Sequence, residues 1–334
     1  MTEPKRVLSG IQPTGEIHIG NLIGAVRQWV ADQDEFDTFY VIVDLHAITV
    51  PQEPGALREA TVRMAASLIA AGLDPERCTL FVQSHVHEHA ELAWVLGTLA
   101  GFGELRRMTQ FKDKAARQQE ASVSVGLFTY PVLQAADILM YQADRVPVGA
   151  DQRQHIELTR DIAGRFNTRY GETFVLPEAA IPRVGARVMD LQDASTKMSA
   201  SASSQQGVLR LADDPEVLRK KIRSAVTDSG REIVAREDKP EISNLLTIMS
   251  VATGRDVSSL EAEYGGKGYG DFKGDLAEAV IEFLRPIQER YAALRGDPAE
   301  LARQLEIGAG KAQAVAAKTL QTVYERVGFL PRGG

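Results

Sequence analysis

Short apolar runs alternate with segments of helical periodicity through the first half of this chain. The runs are rich in β-branched and aromatic residues and lie at residues 39–43, 79–82 and 146–148. The helical segments between them lie at residues 57–71, 89–99 and 133–140. Strands separated by helical segments need crossover connections, which favour a parallel sheet covered on both faces. We therefore expect an α/β fold with a doubly wound, Rossmann-like parallel sheet.

The second part of the chain has a different pattern, because the strand signals stop near residue 208. Helical periodicity continues at residues 209–226, 242–251, 272–294 and 298–327. We predict a Rossmann-like domain over residues 1–207, with a helical insertion at about 101–144, and an all-α domain over residues 208–334. Residues 199–207 are small and polar and are expected to form a hinge, and the last helix is expected to pack back on the first domain.

Composition restricts the class of protein. The 334 residues are 44% hydrophobic, enough for a sizeable core, and no window approaches the roughly 20 apolar residues of a membrane span. Cys78 is the single cysteine and the N-terminus has no signal-peptide pattern, so we expect a protein of the reducing cytoplasm. The net charge of −7 argues against wrapping nucleic acid with the whole surface but allows local basic faces. Two basic runs are present, one at residues 219–223 and one formed by Lys112, Lys114 and Arg117.

A glycine-containing motif, Pro13-Thr14-Gly15-Glu16-Ile17-His18-Ile19-Gly20-Asn21, follows a short apolar run, Val7 and Leu8, and opens a helical segment. A helix N-terminus after such a turn is a natural phosphate site, because free backbone N–H groups and the helix dipole both favour an anion. His18 and Asn21 are placed to donate hydrogen bonds to phosphate oxygens. Gly20 would let adenine or ribose approach the backbone closely.

A second motif, Lys197-Met198-Ser199-Ala200-Ser201, lies about half the chain away. It predicts a small-residue loop that carries one lysine and is flexible enough to close over a triphosphate. Lys197 is a compact charge suited to following pyrophosphate as it leaves.

Together the two motifs resemble the HIGH and KMSKS signatures of class I aminoacyl-tRNA synthetases. Further stretches narrow the resemblance to bacterial tryptophanyl-tRNA synthetases over nearly the whole chain; they lie at residues 9–15, 43–49, 107–112, 146–152 with 155 and 158–161, and 266–270. The resemblance implies a homodimer that condenses L-tryptophan with ATP and then esterifies tRNA(Trp). It also implies Mg²⁺ with the ATP phosphates, and neither a prosthetic group nor a protein-bound metal.

The resemblance also implies roles for individual residues. The residues implied in catalysis are His18, Asn21, Lys114, Lys197 and Ser199. The residues implied in ATP binding are Gln12, Pro13, Thr14, Gly20, Asn21, Gly149, Ala150, Asp151, Gln152, Val188, Lys197, Met198, Ser199, Ala200 and Ser201. The residues implied around tryptophan are Asp137, Tyr130, His46 and Gln134.

The physical chemistry of indole agrees with this pocket. Indole offers one N–H donor on a large apolar body, so a specific site needs one buried acceptor in an apolar wall. Asp137 follows Tyr130 by two helical turns, so both can face one cavity. Its apolar neighbours, residues 135–136 and 138–139, favour burial of the carboxylate.

Two departures from the family pattern keep other functions open. Ala200 replaces the second signature lysine, which leaves room for a non-catalytic paralogue that binds tryptophan or tRNA. Gln134 stands where the family often has methionine, and with Tyr130 and Asp137 it reproduces a spacing found in tyrosyl-tRNA synthetases. A tyrosine-specific enzyme is therefore an alternative. A nucleotidylyltransferase of the wider superfamily is a further one, although it has no need of the long helical region.

Two groups of residues remain. His85, His87 and His89 alternate as metal ligands on a strand do, but no carboxylate or cysteine completes a set, so structural histidines are expected. The helical domain is expected to read tRNA with a basic strip that includes Arg219, Lys220, Lys221 and Arg223.

Overall fold

The computed structural model describes residues 4–110, 123–149, 152–180, 187–199 and 204–331. Some of the residues singled out above lie outside these ranges: Lys112, Lys114, Arg117, Ala150, Asp151, Ala200 and Ser201. The predictions made for them are therefore not addressed by the structure.

Five parallel strands form the central sheet, as the alternating pattern predicts. They are β1 (Arg6–Ile11), β2 (Asp37–Ile42), β3 (Thr79–Val82), β4 (Arg145–Pro147) and β5 (Glu178–Ala180). Their order in the sheet is β3-β2-β1-β4-β5, with Val7 paired to Thr38 on one side and to Arg145 on the other. The chain thus winds outward from β1 in both directions, and the order reverses between β1 and β4.

Helices cover both faces of the sheet and predominate after residue 215. They are α1 (Ile19–Asn21), continued by a π-helical turn (Leu22–Val26) and α2 (Arg27–Asp32), α3 (Asp44–Ala47), α4 (Pro54–Ala70), α5 (Glu88–Gly97), α6 (Phe102–Arg107), α7 (Val125–Met140), α8 (Arg153–Tyr170), α9 (Pro215–Arg223), α10 (Pro240–Thr253), α11 (Val257–Tyr264), α12 (Tyr269–Gly296) and α13 (Pro298–Val327). None of the described helices is long and apolar enough to cross a membrane.

Alternation along each strand divides the core into two clusters. Tyr40 and Leu80 point to one face and Phe39 and Phe81 to the other, as the period of two in a strand requires. The first cluster runs without a break from the sheet into α9, α10 and α12, and the second includes the face of α13 that carries Ala312. The helical C-terminal region is therefore packed on the sheet through shared apolar surface, and the division at residue 207 stays a prediction.

Three local features of the structure were not predicted from the sequence. β5 has no apolar β-branched run and was therefore missed; its sequence is Glu-Ala-Ala at the edge of the sheet. The helix predicted from residue 209 begins only at Pro215, because residues 209–211 are extended and pair with residues 17–19 through Ile19 N–H to Leu209 O and Leu211 N–H to Ile17 O. The first helix contains a π-helical turn, which periodicity alone does not reveal.

Candidate active site

The carboxyl ends of the strands meet at one edge of the sheet, and two cavities open there. A cavity of about 560 Å³ lies between the ends of β1 and β4, where the strand order reverses. In open α/β sheets ligands bind at this position. Gln12 follows β1, Gly149 follows β4 and His46 lies in α3 after β2. Three strands that are neighbours in the sheet therefore each contribute a lining residue.

The first motif forms the turn between β1 and α1. His18 caps α1, and its backbone N–H donates to Asn21 Oδ1 over 3.2 Å. That bond uses the oxygen of the Asn21 amide and leaves its NH₂ group to the cavity that Asn21 lines. A Cβ at Gly20 would lie 3.0 Å from the His18 ring, so glycine provides the room for the buried imidazole. The π-helical turn that follows contributes Gly24 and Ala25 to the cavity wall.

The His18 imidazole is uncharged at neutral pH. Burial and the nearby charges of Lys197 and Arg210 lower its pKa to about 4. A neutral ring carries one N–H donor and one acceptor nitrogen, so His18 can donate one hydrogen bond to an anion but brings no positive charge. Of the described residues that line this part of the site, Lys197 is the exposed cation.

The second motif belongs to a short antiparallel hairpin in its described part. Met189 pairs with Lys197, Met198 N–H donates to Val188 O over 3.1 Å, and Asp190 N–H donates to Thr196 O over 2.9 Å. The Asn244 side chain on α10 holds the outer arm, because its Oδ1 accepts from Met189 N–H and its Nδ2 donates to Met189 O. Residues 187–199 are therefore tied to the helical region, and the rest of the predicted loop, residues 200–203, lies outside the described residues.

A second cavity, of about 630 Å³, joins the two motifs. It is lined by Thr14 and His18 from the first motif and by Lys197, Met198 and Ser199 from the second. Gln12, Asn21 and Lys197 line both cavities, so the two spaces adjoin. The described phosphate-binding candidates thus lie around the second space and its junction with the first, and the predicted tryptophan-binding residues line the first.

A buried carboxylate lies in the wall of the first cavity. Asp137 on α7 is 3% exposed, as its apolar neighbours predict, and it shares the wall with Tyr130, Gln134 and His46. His46 Nε2 lies 2.7 Å from Asp137 Oδ2. Burial by itself would raise the pKa of Asp137, but the charge and hydrogen bonds of His46 and the bonds of His89 outweigh it and hold the pKa well below its ordinary value. Asp137 is therefore an ionised acceptor.

The other predicted site residues are distributed as follows. Tyr130 is buried beside His155, its hydroxyl 3.0 Å from His155 Nε2, and burial raises its pKa to about 12, so it stays a phenol. Gly149 and Gln152 line the first cavity. Pro13 and Val188 are buried and line neither of the two cavities, and the Val188 carbonyl is engaged by Met198.

Comparisons with known proteins identify the family. Residues 1–285 match the family "tRNA synthetases class I (W and Y)". The chain belongs to this family. "Tryptophan--tRNA ligase 2" of Streptomyces avermitilis is 61% identical over 328 residues, covering 98% of this chain and 97% of that protein. The "Tryptophan--tRNA ligase" of Mycobacterium leprae is 56% identical over 335 residues, covering 98% of each.

Solved structures agree with this assignment. The tryptophanyl-tRNA synthetase of Mycoplasma pneumoniae superposes with a TM-score of 0.88 at 38% identity, covering 98% of both chains. The tryptophanyl-tRNA synthetase of Campylobacter jejuni, complexed with ADP and tryptophan, superposes with a TM-score of 0.85 at 38% identity and covers 97% of this chain and all 100% of that one. The doubly wound catalytic fold of a class I synthetase is thus present here.

This class I synthetase also has site residues that the sequence did not single out for the pocket. Gln83 Nε2 donates to Asp137 Oδ1 over 2.7 Å, and His89 Nδ1 lies 2.6 Å from the same oxygen. Tyr141 OH lies 2.7 Å from His89 Nε2. Gln83 directly follows β3, and its place at a strand's carboxyl end was an available signal. His89 and Tyr141 have no comparable signal, because each lies far in sequence from the residue that it contacts.

The three alternating histidines do not share a site in the structure. His89 is fully buried against Asp137, whereas His85 and His87 are exposed. Within the described ranges, no group of three or more histidine, cysteine or acidic residues could hold a metal ion.

Proposed function

We propose that this protein is a tryptophan--tRNA ligase that forms tryptophanyl-adenylate and pyrophosphate from L-tryptophan and ATP and then transfers tryptophan to the 3′-terminal ribose of tRNA(Trp). One observation carries the proposal. A cavity whose described lining contains one carboxylate, the buried Asp137, adjoins a cavity lined by both signature motifs, so an indole and a nucleotide can meet end to end. The identity to tryptophan--tRNA ligases over nearly the full length supports this choice of amino acid.

The activation step in this proposal needs little acid–base chemistry. The carboxylate of tryptophan is already ionised at neutral pH and attacks the α-phosphorus of ATP while pyrophosphate leaves. The protein must align the two groups and stabilise the charge that develops on the leaving phosphates. Asn21, the neutral His18 and the backbone of the first motif would donate hydrogen bonds, and Lys197 and Ser199 would follow the pyrophosphate. Mg²⁺ would arrive on the ATP phosphates, which are its usual ligands in such sites.

Asp137 is proposed to select tryptophan by accepting the indole N–H. Tyr130, Gln134 and His46 share its wall and would surround the amino acid. An analogue without the donor leaves one acceptor site of the buried carboxylate unsatisfied, which typically costs about 1–3 kcal/mol, or roughly 10-fold or more in binding. Asp137→Asn should weaken tryptophan binding sharply and spare ATP, and unchanged tryptophan affinity would contradict this role.

The sixteen-residue helix α7 and its neighbours support a homodimer in the same proposal. Trp94 on α5, Phe102 on α6 and Val125 at the start of α7 are 78%, 69% and 78% exposed. The Phe102 ring lies 5.0 Å from that of Phe128 on α7, so these helices form one surface. Large apolar side chains exposed together are typical of protein–protein contacts. A second copy of this chain is the partner we propose.

The tRNA is proposed to contact the helical C-terminal region. Two members of the predicted basic strip are engaged within the protein: Arg219 binds Glu216 and Glu278, and the buried Lys221 lies 2.7 Å from Asp213. Lys220 and Arg223 are exposed on α9 and have no ion pair among the described residues. These two side chains would supply the positive charge for RNA.

The cytoplasm is the proposed location of such an enzyme, because translation takes place there.

ATP–pyrophosphate exchange by the purified protein tests the catalytic proposal. Exchange that depends on tryptophan and not on tyrosine is expected. Exchange with tyrosine alone would instead favour the tyrosine-specific alternative suggested by the spacing of Tyr130, Gln134 and Asp137. Tryptophan binding without exchange, restored by Ala200→Lys, would favour a non-catalytic paralogue.

A further inference from the structure

The Asp137 carboxylate is held from two sides that differ in their relation to the cavity. His46, which contacts Oδ2, lines the cavity together with Asp137. Gln83 and His89, which contact Oδ1, are absent from the lining of that cavity and are both 0% exposed. Oδ1 is therefore directed into the protein and Oδ2 toward the space where an amino acid would bind.

The donors fill the carboxylate unevenly. An ionised carboxylate has about four lone-pair sites, two on each oxygen. Gln83 Nε2 and His89 Nδ1 occupy both sites of Oδ1, at 2.7 and 2.6 Å. His46 Nε2, at 2.7 Å, occupies one site of Oδ2. Among the described residues no fourth donor contacts Asp137, so a single acceptor site is left, and it belongs to the oxygen on the cavity side.

Tyr141 sets the orientation of His89. Because an ionised carboxylate only accepts, the His89 nitrogen facing it, Nδ1, must carry hydrogen. The other ring nitrogen, Nε2, is hydrogen-bonded to the Tyr141 hydroxyl 2.7 Å away, so the imidazole is held from both sides. Burial raises the pKa of Tyr141, so its hydroxyl keeps its proton. The Tyr141 ring is itself fixed between Phe39, at 4.7 Å, and Phe81, at 5.6 Å between centroids.

We propose that Gln83, His89 and Tyr141 are positioning residues that hold Asp137 in one rotamer with one open acceptor site. They thereby set how strongly the enzyme prefers tryptophan over an analogue without the indole N–H. This inference rests on the proposed role of Asp137. Loss of the Tyr141 hydroxyl removes the hydrogen bond that fixes the far side of the His89 ring, so the ring can shift and its Nδ1 no longer holds Oδ1 in one place. Asp137 then reorients, and its acceptor no longer matches the indole nitrogen.

The test measures discrimination rather than activity alone. Exchange kinetics are compared for tryptophan and for an analogue in which sulfur replaces the indole N–H, using wild type, Tyr141→Phe and Asp137→Asn. For Tyr141→Phe we expect the ratio of kcat/KM values, tryptophan over analogue, to fall about 5- to 20-fold through the KM for tryptophan. The kcat/KM for the analogue and the KM for ATP should stay near the wild-type values, because a fault in folding would lower all of them together.

Tyr264→Phe is the matched control. Tyr264 is also buried, at 2% exposure, and its hydroxyl donates to a carboxylate, Asp275 Oδ2, over 2.9 Å, but it lies in the helical C-terminal region. Its discrimination ratio should equal that of wild type. If Asp137→Asn lowers the ratio and Tyr141→Phe does not, the positioning proposal is overturned while the role of Asp137 stands. An unchanged ratio in Asp137→Asn would overturn both.

Discussion

Gly308 of α13 lies against the backbone of Leu80 in β3, so closely that a Cβ on residue 308 would be 1.8 Å from the Leu80 carbonyl oxygen. The contact joins the last described helix to the strand whose carboxyl end delivers Gln83 to the site. No side chain fits there without moving either the helix or the strand.

Gly308→Ala should therefore destabilise the protein even though alanine is the better helix former. Overpacking typically costs about 1–3 kcal/mol or more, against a helix-propensity gain of about 1 kcal/mol. Gly310→Ala is the matched control, because a Cβ at that position meets nothing within 4 Å. Thermal unfolding should show a lower midpoint for Gly308→Ala and an equal or higher one for Gly310→Ala. Equal midpoints for the two variants would contradict the close contact.

The buried His18 should make stability depend on pH. Its pKa is lowered to about 4 in the folded protein, against 6.5 for the unperturbed group. Between these values the unfolded chain binds a proton that the folded chain rejects, so stability falls as the pH falls from about 6.5 toward 4. His18→Gln should remove that part of the pH dependence, at most about 3 kcal/mol.

Urea unfolding at pH 7 and pH 5 measures this effect. The difference in the free energy of unfolding between wild type and His18→Gln should be smaller at pH 5 than at pH 7. A substitution of the exposed His85 by glutamine provides the control, since its difference from wild type should not change with pH in the same way. Parallel pH profiles for wild type and His18→Gln would refute the prediction.

Substitution of Asn244 should raise the KM for ATP more than the KM for tryptophan. Its amide makes hydrogen bonds of 2.9 and 3.0 Å with the backbone N–H and carbonyl of Met189, the residue paired with Lys197. Asn244→Ala removes both, so the hairpin that carries Lys197 should be held less firmly. We expect a KM for ATP raised about 3- to 10-fold with the KM for tryptophan nearly unchanged.

Asn167→Ala is the corresponding control for loss of a backbone clamp. The Asn167 amide holds Phe174 by bonds of 2.8 and 2.9 Å, away from both signature motifs. This variant should lose stability without changing the KM for ATP selectively. A selective effect in Asn167→Ala, or none in Asn244→Ala, would argue against the hairpin's role.

Charge reversal on α9 should weaken tRNA use alone. Lys220→Glu and Arg223→Glu remove exposed charges, so the kcat/KM for tRNA should fall and its dependence on salt should become shallower by up to about one unit of slope per lost phosphate contact. Tryptophan-dependent pyrophosphate exchange should not change. Arg219→Ala, whose charge is already paired with Glu278 at 2.7 Å, should have the smaller effect on tRNA. Equal effects from all three variants would contradict this assignment.

Polar substitution of the exposed aromatic surface should abolish the proposed dimer. Trp94→Asp combined with Phe102→Asp places two charges on a face that would be buried, which is costly without partners. Light scattering after gel filtration should report a dimer for wild type and a monomer for this variant. Val226→Asp, at a residue 44% exposed in the helical region, should leave the mass unchanged. A wild-type monomer at micromolar concentration would overturn the proposal.

The sequence by itself determined the parts of this protein that depend on local pattern. Alternating strands and helices predicted the parallel sheet, and α13 was predicted with the bounds that the structure has, Pro298–Val327, because proline starts it and glycine follows it. The first motif was placed correctly between β1 and α1, since a glycine turn before a helix is a local signal. The burial of Asp137 followed from its apolar neighbours on α7.

Tertiary structure decided the relationships between residues far apart in the chain. The bonds from Gln83 and His89 to Asp137 join residues 54 and 48 positions apart, and no periodicity encodes them. The clamp of Asn244 on Met189 spans 55 positions, and residues 209–211 became extended because they pair with residues 17–19. Hydrophobic patterning specifies which face of an element is buried. The partner of each buried polar atom is fixed only when the packed elements bring a donor within hydrogen-bonding distance, because leaving that atom unpaired is costly.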